Sequence, residues 1–362
     1  MINHFKMKKL VLLLFIISGL SCAQISQTNS QQIEEAHAAA EAFLEKESIP
    51  GMAISVSKKG KLIWSKGFGY ANIDTKEIVQ PDKTQFRIAS ISKSICAAGL
   101  AKLFDDGKLN FDNSIYTYVP DFPKKEYDFT VRQVGGHISG IRHYNGSEFI
   151  MNKKMSIVEG LDIFKDSPLK FKPGSDYSYS TYGWNLLSVV VQNASGVDYN
   201  KFMQDTFFDP LQMNSTAVGL SDVTMPNRTQ FYNKTNAGNI VLGPKVSNEF
   251  KVAGGGYIST SEDLVKFGNE IISPKILSNA AIQELVTPLS TDDGNSTDYG
   301  IGFGVIKTQN GTPRYSHSGG GIGASTFLLM YPEEETVIAI VTNLSGAPVR
   351  QLVSTLQRIF IN

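Results

Sequence analysis

Cysteine is nearly absent from this chain. Only Cys22 and Cys96 occur in 362 residues, and Cys22 falls in the N-terminal apolar segment, so no disulfide framework holds the fold. Net charge is absent as well. Lys+Arg and Asp+Glu both number 34, for a formal charge of +0, which removes the electrostatic footprint that a nucleic acid or an anionic membrane surface would require. Histidine is limited to 5 residues. His137 and His143 have no clustered cysteine or carboxylate beside them in sequence, so the spacing does not read as a metal site. No G-x-S-x-G elbow occurs, which argues against an α/β-hydrolase. What is there is a 41% apolar fraction, enough for a sizeable core. With no metal, cofactor or nucleic acid implied, function is to be sought in a pocket that takes a small-molecule or peptide substrate.

The N-terminus reads as an export signal over residues 1–23. Lys6, Lys8 and Lys9 form a basic opening, and Leu10 to Ile17 an apolar run too short to span a bilayer. Met7 offers a second start. Ser21-Cys22-Ala23 fits a small-x-small cleavage site; alternatively the signal is 1–21 and Cys22 is the lipid anchor of a bacterial lipoprotein. Both readings place the mature protein outside the cytoplasm, in the periplasm or tethered to a membrane, with 24–30 as a polar tether.

Beyond the tether the periodicities predict an amphipathic helix over 31–46 and a hairpin of strands 51–58 and 61–68 around Lys59-Gly60. A helix follows Ser90 and stops at Gly107. Residues 108–250 read as helices and long loops, with a buried helix over 183–194 and a polar surface excursion over 219–250. Ser259 and Glu262 suggest a capping box opening a helix over 261–272. Strands return at 313–317, 323–331 and 336–343, and an amphipathic helix covers 347–359. The expected fold is α/β in the α+β sense: an antiparallel sheet flanked by helices, built from both termini, with an inserted mostly helical domain. The α/β lobe spans about 31–84 and 251–362, and the helical lobe about 85–250.

Ser-x-x-Lys occurs three times, at Ser55/Lys58, Ser90/Lys93 and Ser167/Lys170. Ser55 lies in a strand, where residues three apart point to opposite faces. Ser167 precedes Pro168, whose ring disfavours helix at the residue before it. Only Ser90 opens a helix, which puts Lys93 on its own face one turn later. The helix N-terminus favours an alkoxide and disfavours an ammonium, so the pair suits a nucleophile beside a base. The bland alternative is an N-cap serine with a solvated lysine. Cys96 lies on the apolar stripe of the same helix and reads as a small core residue.

Three blocks in order resemble the serine beta-lactamase and penicillin-binding-protein superfamily, in the branch that includes class C beta-lactamases, D-aminopeptidases and esterases. They are Ser90-Ile91-Ser92-Lys93, the segment Pro173-Gly174 through Tyr179-Ser180-Thr181, and His317-Ser318-Gly319. Supporting segments are Gly136 to Gly140, Asp209 to Met213, Gly255 to Thr260 and Tyr299 to Gly302. The wording around Ile138 to Tyr144 and Tyr179 to Thr181 is most similar to the mitochondrial serine beta-lactamase-like group of animals and its bacterial relatives.

The resemblance implies an exported serine hydrolase forming an acyl-enzyme on Ser90, acting on a peptide, ester or amide. Lys93 and Tyr179 would share the base role, Lys93 lending the positive charge that brings a phenol into range. His317 would tune Tyr179 or relay a proton to the leaving group. The N–H groups of Ser90 and Gly320 would form the oxyanion hole, Gly319 letting backbone approach substrate. Thr181 stands where the family has asparagine; it is shorter and offers one hydroxyl donor, which weakens the case for efficient beta-lactam hydrolysis. Two other readings stay open: a penicillin-binding sensor or trapping module that acylates and deacylates slowly, and an oligomerising structural protein of the kind the animal relatives suggest.

Overall fold

The computed structural model describes residues 30–308 and 311–361. The expected signal over 1–23, the possible lipid anchor at Cys22 and the tether up to residue 29 lie outside the described residues.

The chain opens with helix α1 (30–47), then the hairpin β1 (Gly51–Lys58) and β2 (Lys61–Asn72), whose turn residues Lys59 and Gly60 both have positive φ, as a tight hairpin requires. β3 (Glu77–Ile78) and β4 (Phe86–Arg87) lead into α2 (Ile91–Asp105). The middle of the chain carries α3 (Val131–Gly135), α4 (Thr181–Ser195), α5 (Tyr199–Met203) and short strands β5 (Ala217–Val218), β6 (Tyr232–Lys234), β7 (Ile240–Leu242) and β8 (Tyr257–Ser259). The last third holds α6 (Ser261–Ile272), α7 (Asn279–Val286), β9 (Gly304–Lys307), β10 (Pro313–Gly321), β11 (Ala324–Tyr331), β12 (Thr336–Thr342) and α8 (Val349–Phe360).

The main sheet is antiparallel, in the order β3-β2-β1-β12-β11-β10-β9. β1 from the start of the chain lies against β12 from its end, with Ile54 opposite Ile340. Successive strand residues point to opposite faces, and both faces are covered. Ile54, Val56, Ile338, Ile340 and Leu329 pack with Ala36, Phe43, Leu352 and Leu356 of α1 and α8. Ala53, Val337, Ala339, Val341 and Leu328 join the larger core with Leu264 and Phe267 of α6 and with α2. Strands covered on both sides read as continuous apolar runs, which is why β11 and β12 are buried along their whole length.

α2 is the axis of the second core. The apolar stripe expected of it is wider in fact: twelve of its residues are buried, including Ser92, Lys93 and Ser94. Cys96 is fully buried, and burial pushes its thiol up to about 12. α4 covers its flank and ends on Gly196 in the left-handed region, φ 73°, as a glycine stop does.

Two local expectations are corrected. The cap of α6 is Thr260, whose hydroxyl accepts from Asp263 N–H, not Ser259; Ser259 Oγ instead pairs with Thr216 Oγ1 at 2.7 Å. Within 219–250 lies a hairpin, β6 with β7, anchored by Tyr232, which is buried and accepts from Ile73 N–H at 3.0 Å. One inward tyrosine in a polar stretch carries no periodic signal.

Candidate active site

Three elements meet at one cleft: the start of α2, the start of α4 and the end of β10. The turn before α2 is held from two sides. Ile88 N–H donates to Tyr257 O at 3.1 Å, and Thr326 Oγ1 donates to Ile88 O at 3.0 Å. Between these anchors Ala89 takes a positive φ of 46°, a conformation that L-residues adopt only under constraint. Ser90 follows as the N-cap of α2.

Lys93 lies one turn along and is fully buried, so the solvated-lysine alternative is excluded. Its Nζ is 2.9 Å from Ser90 Oγ and donates to Gly254 O at 2.5 Å. No carboxylate pairs with it among the described residues. Burial, then the charge of Lys251, holds its pKa well below the usual value for lysine. A buried amine without a counter-ion sheds its proton rather than carry an uncompensated charge.

Tyr179 sits just before α4. Ser178 N–H donates to His137 O at 2.9 Å and Ser180 N–H to His137 Nδ1 at 3.1 Å. His137 thus grips the backbone on both sides of Tyr179, and its ring lies 4.3 Å from the Tyr179 ring. His137 itself is buried at φ 65°. The phenol of Tyr179 is pushed up by burial, opposed by a hydrogen-bonding contact with Ser90. Its ring centroid is 5.0 Å from Lys93 Nζ. Burial thus disfavours both charged forms, the Lys93 ammonium and the Tyr179 phenolate, because each loses its hydration here.

His317 and its neighbours come from β10. His317 Nε2 is 2.9 Å from Tyr299 Oη, and Nδ1 is 2.7 Å from Ser318 O. The carbonyl can only accept, so Nδ1 carries the proton and Nε2 accepts from Tyr299. Burial, then the charge of Lys93, lowers the imidazole to about 3. Its direct partner is thus Tyr299, which the sequence reading left without a role. The signal was present, because Tyr299 heads a segment already noted.

Gly319 and Gly320 serve different needs. A Cβ on Gly319 would stand 2.3 Å from Ile88 O and 2.2 Å from Thr326 Oγ1, whereas one on Gly320 would meet nothing within 4 Å. Gly319 lets β10 approach the turn that carries Ser90; Gly320 leaves open space beside Ser90. The backbone N–H of Ser90 donates to no acceptor among the described residues.

Thr181, first residue of α4, has its N–H bound to His143 Nδ1 at 3.1 Å. A Cβ on Gly254 would lie 2.5 Å from Thr181 Cγ2, so the threonine methyl closes on the helical turn before β8 whose carbonyl holds Lys93. The cleft has two arms that share Ser90, Tyr179 and Gly320. One runs past His143, Thr181, Lys251 and Arg87; the other past Tyr299, His317, Arg314 and Arg350. His143, Lys251, Arg87, Arg314 and Arg350 were not foreseen as site residues, because isolated basic residues scattered over separate elements carry no pattern. Among the described residues no cluster of side chains could hold a metal ion.

A serine at the head of a buried helix, a lysine one turn on and a tyrosine from the segment just before a second helix, all beside an antiparallel sheet, are the arrangement of the beta-lactamase and penicillin-binding-protein type of fold. The family model described as Beta-lactamase matches residues 36–359, and the chain belongs to that family, within the serine beta-lactamase and penicillin-binding-protein superfamily. It is similar to the human "Serine beta-lactamase-like protein LACTB, mitochondrial", with 32% identity covering 79% of this chain and 69% of that protein. It is also similar to "Protein flp" of Staphylococcus aureus strain MW2, with 27% identity covering 88% and 64%. The octameric penicillin-binding protein homologue of Pyrococcus abyssi shares the fold at TM-score 0.78 and 23% identity, over 90% of this chain and 77% of that one. The structure titled "EstCE1, a hydrolase with promiscuous acyltransferase activity" does so at TM-score 0.78 and 17% identity, over 92% and 99%. The family is one of hydrolases built on this fold.

Proposed function

We propose that the protein is a serine hydrolase that works through an acyl-enzyme on Ser90 and acts on a peptide, ester or amide. The observation that carries this is the buried Lys93 amine 2.9 Å from Ser90 Oγ, with no carboxylate paired to it among the described residues. Ser90 Oγ attacks the substrate carbonyl carbon as its proton passes to Lys93 Nζ. The carbonyl oxygen, now negative, accepts from the N–H groups of Ser90 and Gly320, a contribution of about a hundred- to a thousandfold per donor. Collapse breaks the bond to the leaving group, which takes its proton from the Tyr179 phenol. Lys93 then returns its proton to Tyr179, restoring the amine–phenol pair. Water repeats the sequence on the ester of Ser90, giving its proton to the pair, and Ser90 regains its hydroxyl.

Turnover of p-nitrophenyl esters and D-alanyl dipeptides by the wild type and its loss in Ser90→Ala test the assignment. Intact turnover in Ser90→Ala would overturn it.

Thr181 favours a second reading, a module that acylates with a beta-lactam and deacylates slowly, because the amide donor expected at that position is missing. Intact-protein mass after a beta-lactam pulse separates the two: an adduct lasting hours supports trapping, rapid return to the free mass supports hydrolysis. The basic opening Lys6, Lys8, Lys9 followed by Leu10–Ile17 supports export; fractionation of cells expressing the full chain, with and without Cys22→Ala, reads both export and lipid anchoring.

A further inference from the structure

Tyr179 is packed by two imidazoles. The His137 ring centroid lies 4.3 Å from its own, and His143 stands edge to face with it, centroids 5.7 Å apart and planes at 86°. The first N–H groups of a helix have no partner inside it. His143 supplies one at α4, where its Nδ1 accepts from Thr181 N–H at 3.1 Å. An imidazole nitrogen that accepts carries no proton, so in the neutral ring the proton is on Nε2. Burial, then the charges of Lys93, Lys251 and Lys170, lowers this imidazole to about 4, so at neutral pH Nε2 is a donor only. That donor is unused. Nε2 meets no acceptor among the described residues, and the half-buried ring lines the cleft beside Ser90 and Tyr179. The other imidazoles of the site differ. His317 has both nitrogens engaged, and the second nitrogen of His137 is sealed in the core. The Thr181 hydroxyl is also taken, by contact with the Tyr144 phenol. His143 is thus the imidazole that presents a free N–H to the cleft, one ring away from the Lys93–Tyr179 pair.

In the acyl-enzyme Ser90 Oγ is an ester oxygen, and the pair must take its proton from water instead. That water has to stand where one hydrogen reaches the pair while a lone pair faces the ester carbon, and water in an open cleft is free to turn. A donor-only group beside Tyr179 fixes it, because the N–H binds one lone pair of the oxygen and leaves the other for attack. We propose that His143 serves this second half of the reaction: its Nε2–H seats the water that hydrolyses the acyl-enzyme. The water oxygen bonds to the ester carbon as its proton passes to the pair. The bond from that carbon to Ser90 Oγ then breaks, the pair returns the proton to Oγ, and His143 keeps its own proton throughout. This role rests on the acyl-enzyme reading and names the group that decides between hydrolysis and trapping.

Decay of the pentanoyl-enzyme isolates this step. It is read by intact-protein mass after a pulse of p-nitrophenyl pentanoate and removal of the ester, while the p-nitrophenolate burst reads acylation. The pentanoyl chain has no amide, so a donor that only binds an amide carbonyl of the substrate would not register. His143→Asn keeps an acceptor near the place of Nδ1 and has nothing at Nε2. It should slow decay at least about tenfold, the contribution of one hydrogen bond, with a burst rate within about twofold of wild type. His143→Gln, whose amide reaches the place of Nε2, should recover most of the decay rate. Unchanged decay in His143→Asn overturns the proposal. So does equal slowing of burst and decay, which would leave His143 as a support for α4 alone. A slow Gln variant beside a normal Asn variant also overturns it, since the contact with Thr181 would then be the part that matters. Each of these three results leaves the acyl-enzyme reading standing. A wild type that neither turns over the ester nor forms an adduct on Ser90 sinks both.

Discussion

Lys93 Nζ lies 2.9 Å from Ser90 Oγ and 2.5 Å from Gly254 O, and no carboxylate pairs with it among the described residues. The amine is thereby positioned by two oxygens, and burial biases it toward the uncharged form, the state a base must have. The same burial makes Lys93 a liability to folding. Its folded pKa is below that of free lysine, 10.5, so the unfolded chain binds the extra proton. Stability therefore rises with pH between the depressed pKa and 10.5, by at most about 1.36 kcal/mol per pH unit. Lys93→Met should abolish turnover and raise Tm, with a Tm gain that shrinks as pH is raised toward 10.5. Thermal melts across pH check the sign; a variant less stable than wild type at neutral pH would contradict it.

Gly319 and Gly320 offer a matched pair of substitutions. Gly319→Ala must displace Ile88 O or Thr326 Oγ1, and should cost about 1–3 kcal/mol of stability along with activity. Gly320→Ala meets no atom within 4 Å, so its melting temperature should match wild type while its methyl, standing where substrate passes, lowers kcat/KM. Calorimetric melts beside ester kinetics separate the two effects.

Tyr299→Phe removes the donor to His317 Nε2 while keeping the ring. It should lower kcat by about a hundredfold if the pair relays protons, with little change in KM. Unchanged kcat would reduce the pair to a structural contact.

The imidazole of His317 is held to about 3 by burial and then by Lys93, so it stays neutral from about pH 5 upward. The unfolded chain binds its proton near 6.5, so this site withdraws stability as pH falls from 6.5 toward 3. Nitrogen NMR of the labelled imidazole should show no titration step near 6.5; a step there would place His317 in a wetter or more acidic setting than its neighbours provide.

Much of the frame was legible. The alternation in β1, the continuous apolar run of β12, the stop at Gly107 and the stop at Gly196 are local signals, and they appear where the sequence pattern places them. Ser90 and Lys93 were legible because i and i+3 share a helix face whatever the rest of the chain does. The charge state of the site was not, because it depends on burial. Lys93 and Tyr179 each read as ordinary titrating groups until the core that dehydrates them is seen. Tyr299 and Lys251 were missed for a related reason: they reach the cleft from loops and short segments, and only tertiary packing brings them beside Ser90. The cap of α6 shifted by one residue because Ser259 and Thr260 are both competent caps, and the pairing of Ser259 with Thr216 decides between them.

The central claim, that Ser90 carries the acyl group, is read most directly by intact-protein and peptide mass spectrometry after a pulse of an activated ester or a beta-lactam. The account predicts one added acyl mass in the wild type, located on the peptide bearing Ser90, and none in folded Ser90→Ala. An adduct of the same mass in Ser90→Ala, or one located on any other residue of the wild type, would contradict it.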